Sequence, residues 1–256
     1  MNLGIAGVGV IGGVLKRWLE VNSDHSLQMY DPQKGHNDSF NKLDALFISI
    51  SVPTDPTRGQ DLSSLKELIY RIPKGEYPVV LIRSTVLPGT CDALSKEFNR
   101  RIFAMPEFLT ERTADQDFAY QPILVGSREE PEASLIGRIF YPKVIHYTTN
   151  TEAELAKYAH NCFGAMKVNY FNIIHEVCEK MNIDYERVRQ AILGSGYIES
   201  FHTKVPGPDG KNGYGGKCFP KDLKAFIGLL DQYNVTGAST LRSVEWDNTT
   251  FRAEIL

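Results

Sequence analysis

Gly7-Val8-Gly9-Val10-Ile11-Gly12 is the stretch on which the fold turns. Its spacing is G-x-G-x-x-G. A glycine triplet alone is a weak signal, but here the flanks agree with it. Leu3 to Val8 reads as a short apolar strand. After the glycines, Val10, Ile11, Val14, Leu15, Trp18 and Leu19 recur at helical spacing toward Val21. Strand, glycines, helix is the opening of a dinucleotide-binding βαβ unit. Each glycine has its own physical reason. Gly7 permits the tight turn, Gly9 lets a pyrophosphate approach the backbone, and Gly12 lets the helix pack close on the strand. Val10 and Ile11 open the helix, whose unpaired N–H groups and partial positive charge face the phosphates. Leu27 to Tyr30 reads as the second strand and ends at Asp31, at the roughly 20-residue remove such units use. A carboxylate there accepts from the ribose hydroxyls and repels a 2′-phosphate, so the expected cofactor is NAD rather than NADP.

The same reading extends along the chain. The polar stretch Pro32 to Lys42 is a loop. Asp44 to Val52 is a nearly continuous apolar run of the kind buried in a parallel sheet. Pro53-Thr54 breaks it. Leu62 to Arg71 reads as a helix with Asp61 or a nearby serine as cap. Pro78 to Ile82 is a strand, Cys91 to Phe98 a helix and Arg101 to Ala104 a strand. Pro122 to Gly126 and Val144 to Tyr147 are further strands around a helix at Pro131 to Phe140. Regular alternation of this sort implies a Rossmann-type, doubly wound α/β domain with a mostly parallel sheet, over residues 1–147. Residues 148–256 are expected to form an all-helical domain. Its elements are one long helix from Glu152 to Met181 and further helices at Tyr185 to Leu193, Lys221 to Tyr233 and Ser239 to Ile255.

Composition narrows the class. The 256 residues are 42% hydrophobic and 23% charged, which fits a folded globular chain rather than a disordered one. A formal charge of −3 gives no basic face for nucleic acid. Neither a signal-peptide pattern nor an apolar run of about 20 residues is present, so a reducing cytoplasm and no membrane partner are expected. Cys91, Cys162, Cys178 and Cys218 form no CxxC pair, so no metal site is expected.

The second informative segment is Gly213-Tyr214-Gly215-Gly216-Lys217-Cys218-Phe219-Pro220-Lys221-Asp222. Glycines let a backbone wrap a ligand closely. A cysteine after such a loop and before a helix sits where the helix N-terminus and nearby lysines lower its pKa. The thiolate is then a nucleophile for a carbonyl carbon. Lys157 and Asn161 are four apart in the long helix and share a face. By spacing alone that face reads first as a solvated one.

With this segment the chain resembles the UDP-glucose/GDP-mannose dehydrogenase family. The pattern G-x-G-G-x-C-x-P-K-D is that family's signature. Ser51-Val52-Pro53-Thr54 resembles its segment after the third strand, and Arg83-Ser84-Thr85-Val86-Leu87-Pro88-Gly89-Thr90 its S-T-V-x-x-G-T stretch. Pro106-Glu107-Phe108-Leu109-Thr110-Glu111 resembles its P-E-F-L-x-E. Glu154-Leu155-Ala156-Lys157-Tyr158-Ala159-His160-Asn161 resembles its E-x-x-K-x-x-x-N.

The resemblance implies oxidation of a sugar C6 alcohol to a carboxylate through a Cys218 thiohemiacetal and thioester, UDP-glucose to UDP-glucuronate foremost. It implies that Lys157 and Asn161 face the oxyanion, that Asp222 and Thr85 hold water and relay protons, and that Glu107 is the acid/base of thioester hydrolysis. It places Gly7, Gly9, Val10, Ile11, Gly12, Asp31, Val52, Pro53, Thr54, Ser84, Thr85, Glu111 and Lys221 at NAD. Glu107, Phe108, Leu109, Lys157, Asn161, Tyr214, Gly215 and Gly216 fall at the sugar nucleotide. His202 and Lys204 fall in the family's phosphate-contacting segment, where the local match is poor.

The chain also departs from the family. The third domain that closes over the nucleotide is not in it, and the loop after Asp31 is short. The helix at 152–181 is apolar on several sides, which the resemblance reads as the core of a homodimer. Two other functions stay open. One is a single-step β-hydroxyacid-type dehydrogenase, which has no need of Cys218. The other is a non-catalytic binding remnant, which has no need of Lys157, Asn161, Cys218 and Asp222 together.

Overall fold

The computed structural model describes residues 1–55, 57, 59–128 and 131–253. It divides into two compact units. The first is Met1–Pro53 with Gln60–Lys157, and the second is Thr54–Gly59 with Tyr158 onward.

The first unit is the Rossmann-type α/β domain. Its leading elements are β1 (Asn2–Ala6), α1 (Val10–Asn22), β2 (Ser26–Asp31), β3 (His36–Asn37), β4 (Ala45–Ile48), α2 (Ser63–Tyr70), β5 (Val79–Ile82), α3 (Thr90–Phe98) and β6 (Ile102–Ala104). Those strands form one sheet in the order β3-β2-β1-β4-β5-β6. Every pair is parallel except β2 with β3. The direction of winding reverses between β1 and β4, and ligands of open α/β sheets sit outside the strand C-termini at such a reversal.

Two-sided burial explains the continuous apolar strands. Leu46, Ile48, Val80 and Ile82 point to one face and pack with Leu65, Leu68 and Ile69 of α2 and Cys91 and Leu94 of α3. Their alternates Ala45, Phe47, Val79 and Leu81 point to the other face and meet Val14, Leu15 and Leu19 of α1. That second cluster also takes in α4 (Ala114–Tyr120), β7 (Ile123–Val125) and α5 (Glu132–Phe140).

Several expectations are adjusted. The stretch Pro32 to Lys42 is not wholly loop. It holds a single 3-10 turn (Pro32–Lys34) and β3. The apolar run 44–52 is a strand only over Ala45–Ile48, because Ile50 turns its backbone onto the Ser84 hydroxyl. The strands near 122–126 and 144–147 are β7 and β8 (Ile145–Tyr147). They pair with each other in a separate two-stranded parallel sheet.

The long helix α6 runs Asn150–Met181, 32 residues. Its first turns belong to the Rossmann unit. The Asn150 side chain accepts from Ala104 N–H at 2.8 Å and donates to Asp92 and to the Ile102 carbonyl. The Glu154 carboxylate caps α3, taking Gly89 N–H at 2.6 Å and Cys91 N–H at 2.8 Å. These ties hold α6 up to Lys157 in the first unit, past the expected boundary at 147.

The second unit is helical, with the rest of α6, α7 (Tyr185–Gly194), α8 (Phe219–Gln232) and α9 (Ala238–Arg252). Cys162, Ala165, Tyr214, Leu223, Ile227, Leu241 and Val244 form its core. The expected last helix reached Ile255, which lies outside the described residues. Among the described residues no helix is long and apolar enough to cross a membrane.

Candidate active site

In the Rossmann unit the three glycines of the first loop meet different surroundings. Gly7 has φ +82°, and a Cβ there would stand 2.5 Å from the Ser49 carbonyl oxygen. At Gly12 a Cβ would stand 1.9 Å from the Gly7 carbonyl oxygen, so any side chain would separate α1 from β1. Gly9, the N-cap of α1, has nothing within 4 Å of that position. The backbone is therefore open to a bulky anion at the helix N-terminus, and these residues fit a dinucleotide pyrophosphate. Val10 and Ile11 carry on from it, Val10 exposed and Ile11 half-buried.

Asp31 ends β2, and one carboxylate oxygen takes Val8 N–H at 2.8 Å. Lys34 donates to the Val8 carbonyl at 2.6 Å. The glycine loop is thus clasped at Val8 from both sides, a role for Lys34 that no sequence motif signals. Val52 is buried and Pro53 exposed at the end of the β4 segment. The Ser84 hydroxyl bridges Ile50 in both directions, accepting from its N–H at 3.0 Å and donating to its carbonyl at 2.7 Å. Its chemistry is spent on joining the β4 and β5 ends. Thr85 is half-buried, and its carbonyl accepts from Gln60.

A buried ion pair lies in the same unit. Lys157 Nζ is 3.2 Å from Glu107 Oε1, with the two side chains 6% and 7% exposed. Glu107 Oε2 accepts from Leu109 N–H at 2.6 Å, and the ammonium lies 5.7 Å from the centre of the Phe108 ring. Arg83 is a further buried cation, 5.3 Å over the Phe118 ring. Burial pushes its guanidinium down to about 10, with Glu107 pulling the other way. Its Nε and Nη2 make no hydrogen bond among the described residues. Glu111 lies exposed between β6 and α4.

In the helical unit Asn161, one turn beyond Lys157 on α6, donates from Nδ2 to Asp222 Oδ2 at 2.6 Å, and both residues are buried. Lys221 pairs with the other oxygen of Asp222. Thr54 donates its hydroxyl to the Lys221 carbonyl at 2.9 Å. Cys218 is the N-cap of α8, exposed, and one helical turn before Asp222. The other three thiols are buried. Burial, with the Asp222 charge adding to it, pushes Cys162 up to about 12.

The loop ahead of Cys218 differs from a loop shaped for a ligand alone. The Tyr214 side chain is 4% exposed and packs in the helical core, so its ring is structural and only its backbone borders the loop. Gly215 is pressed by Arg252, whose Nη2 would lie 2.0 Å from a Cβ. Gly216 has φ +75° and open space around its Cβ position. His202 has φ +62° and stacks edge-on to Phe219 at 5.1 Å, while Lys204 is exposed. No group of three or more metal-ligating side chains occurs among the described residues.

Comparison with known proteins gives the family. The sequence model for the NAD binding domain of the UDP-glucose/GDP-mannose dehydrogenase family matches residues 15–144, and that for the family's central domain matches 151–250. The UDP-glucose 6-dehydrogenase YwqF of Bacillus subtilis is 32% identical over 199 residues, 73% of this chain and 44% of the relative. The UDP-glucose 6-dehydrogenase of Rickettsia typhi is 28% identical over 78% of this chain and 48% of its own length. The chain thus spans about half the length of the curated relatives it matches. A solved UDP-glucose dehydrogenase from the archaeon Pyrobaculum islandicum shares the fold, with TM-score 0.84 and 23% identity over 97% of this chain and 68% of that one. The NAD-binding match begins just after the glycine loop, the Cys218 loop lies within the central-domain match, and the chain belongs to the UDP-glucose/GDP-mannose dehydrogenase family.

Proposed function

We propose that this chain carries the NAD site and the nucleophile of a nucleotide-sugar 6-dehydrogenase, with UDP-glucose as the foremost substrate and UDP-glucuronate as product. The observation that carries the reading is the exposed Cys218 at the start of α8, one turn before a buried Asp222 held by Asn161 and Lys221. A single-step alcohol oxidation has no use for a nucleophilic thiol at that place.

Bound NAD supplies the hydride acceptor. Cys218 supplies the thiolate, which the N-terminus of α8 stabilises. Its sulfur adds to the C6 aldehyde formed by the first oxidation. The resulting thiohemiacetal loses a second hydride to become a thioester, and water cleaves that to the carboxylate and the restored thiol. Lys157 and Asn161 offer a cation and an amide N–H to the oxygen on which charge develops. Asp222 and Thr85 hold the water. Glu107, paired with Lys157, takes the proton that water loses. Phe108, Leu109, Gly215 and Gly216 border the sugar. Glu111 lies at the nicotinamide. Val52, Pro53, Thr54, Ser84 and Lys221 line the cofactor.

The partner for the exposed apolar row on α6 is a second copy of the chain. Phe163, Tyr170, Ile173, Val177 and Met181 are each 40% or more exposed there. The setting of the reaction is a reducing cytoplasm. The test incubates the purified chain with NAD and UDP-glucose, GDP-mannose or UDP-N-acetyl sugars and follows NADH. NADH formed with one of these, and halted after the first oxidation in Cys218→Ala, supports the reading. NADH formed with none of them refutes it.

A further inference from the structure

The segment ahead of Cys218 is rich in glycine, and such a chain loses more freedom on ordering than any other. Something has to hold it in one shape. Among the described residues of the helical unit, side chains of α6 and α9 take every backbone polar group of Gly213 and Tyr214. Gly213 N–H donates to Asn172 Oδ1 at 2.8 Å. Tyr214 N–H donates to Asn248 Oδ1 at 2.7 Å, and Asn248 Nδ2 returns a bond to the Tyr214 carbonyl at 3.1 Å. Asn248 therefore pairs with Tyr214 as a neighbouring strand would. Arg252 Nε donates to that same carbonyl at 3.0 Å, and its Nη2 reaches the Gly213 carbonyl at 3.5 Å. Asp209 Oδ2 fixes the guanidinium from its other side, 2.7 Å from Nη1.

The glycine identities follow from the same contacts. A Cβ at Gly213 would stand 2.5 Å from Asn248 Oδ1, and one at Gly215 would stand 2.0 Å from Arg252 Nη2. Gly215 has no left-handed φ to explain it. Its missing side chain makes room for Arg252. Asn248 and Arg252 are four apart on α9 and so act from one face of it.

We propose that Asn248 and Arg252 are positioning residues that set the shape of the Gly213–Gly216 loop and, through it, the fit of the sugar the loop receives. The last clause rests on the nucleotide-sugar reading, whereas the holding of the loop does not.

The test measures amide hydrogen exchange over residues 205–220 of the full chain, together with NADH kinetics. Wild type is compared with Asn248→Ala, Arg252→Met, Arg252→Lys, Gly215→Ala and the double variant Gly215→Ala/Arg252→Met. Loss of the acceptor of Tyr214 N–H predicts about tenfold faster exchange there in Asn248→Ala, and Arg252→Met, which frees the Tyr214 and Gly213 carbonyls, raises exchange across the loop, with α8 and α9 still protected. Gly215→Ala pushes the guanidinium away and has the same effect. The double variant is no worse than either single one, because both remove one contact. KM for the nucleotide sugar rises about tenfold in Arg252→Met while KM for NAD stays put, and Arg252→Lys recovers part of the loss. Unchanged loop exchange, additive effects in the double variant, or exchange spreading through α8 and α9 would each overturn the proposal. If the wild type reduces no NAD with any nucleotide sugar, the functional reading fails, and the exchange pattern still decides whether α9 holds the loop.

Discussion

Gly9 and Gly12 stand three residues apart, and a methyl group at each has opposite consequences. Gly12→Ala puts a carbon 1.9 Å from the Gly7 carbonyl oxygen, so α1 must move off β1. Overpacking of this kind costs about 1–3 kcal/mol, and the variant should melt well below wild type and bind NAD poorly. Gly9→Ala meets nothing within 4 Å. It should unfold with the wild-type midpoint and yet lose NAD affinity in a calorimetric titration. Equal melting losses in the two variants would contradict this division of labour. The cysteines offer a second contrast. With Cys162 pushed up to about 12, its reactive thiolate is about one part in ten thousand at pH 8. Cys91 is raised well above its ordinary value by burial. A thiol reagent at pH 8 should therefore label one cysteine of the folded chain, Cys218, and all four after unfolding. Two fast thiols in the native protein would be the wrong answer. The glycines and Cys218 were legible in sequence, because their chemistry follows from residue type and flanking pattern. Asn248, Arg252 and Lys34 were not. On their elements they read as ordinary polar positions, and what they hold is decided by chain that lies 26 to 38 residues away in sequence.

At the scale of elements, the joint between α6 and α3 carries a pH dependence. The Glu154 carboxyl is raised above its usual range by burial, against the pull of the Cys91 and Gly89 N–H groups. The folded form then holds this proton more tightly than the unfolded one. Its contribution to stability is full below the ordinary value of 4.5 and is lost as pH rises through the raised value. In urea unfolding between pH 4 and 7, Glu154→Gln should gain on wild type as pH rises above 4.5 and then level off. A difference that stays flat over that range would show that the carboxyl is not strained by burial. Helices α1, α2, α3, α5, α6, α7, α8 and α9 and strands β1, β2, β4, β5 and β6 were all legible, and two-faced burial leaves its apolar signature most fully in β1, β4 and β5. The two-residue β3 is polar and pairs by its backbone. The short α4 buries only Ala114 and Phe118, too few for a helical period to show. That β7 and β8 form a sheet of their own is a fact of pairing, on which hydropathy is silent.

At the scale of the molecule, α6 leaves Phe163, Tyr170, Ile173, Val177 and Met181 exposed along one helix. A solvated apolar row of that length marks an interaction surface. Sedimentation should give twice the 28.8 kDa of one chain, and Phe163→Glu with Val177→Glu should return it to monomer with its helix content intact. A wild-type monomer at micromolar concentration would remove the second copy from the account. The chemistry is read in the stoichiometry of NADH per nucleotide sugar consumed. Two NADH should form for each UDP-glucose, with Cys218→Ser unable to complete the second oxidation. One NADH per sugar, with Cys218→Ala as fast as wild type, would contradict it.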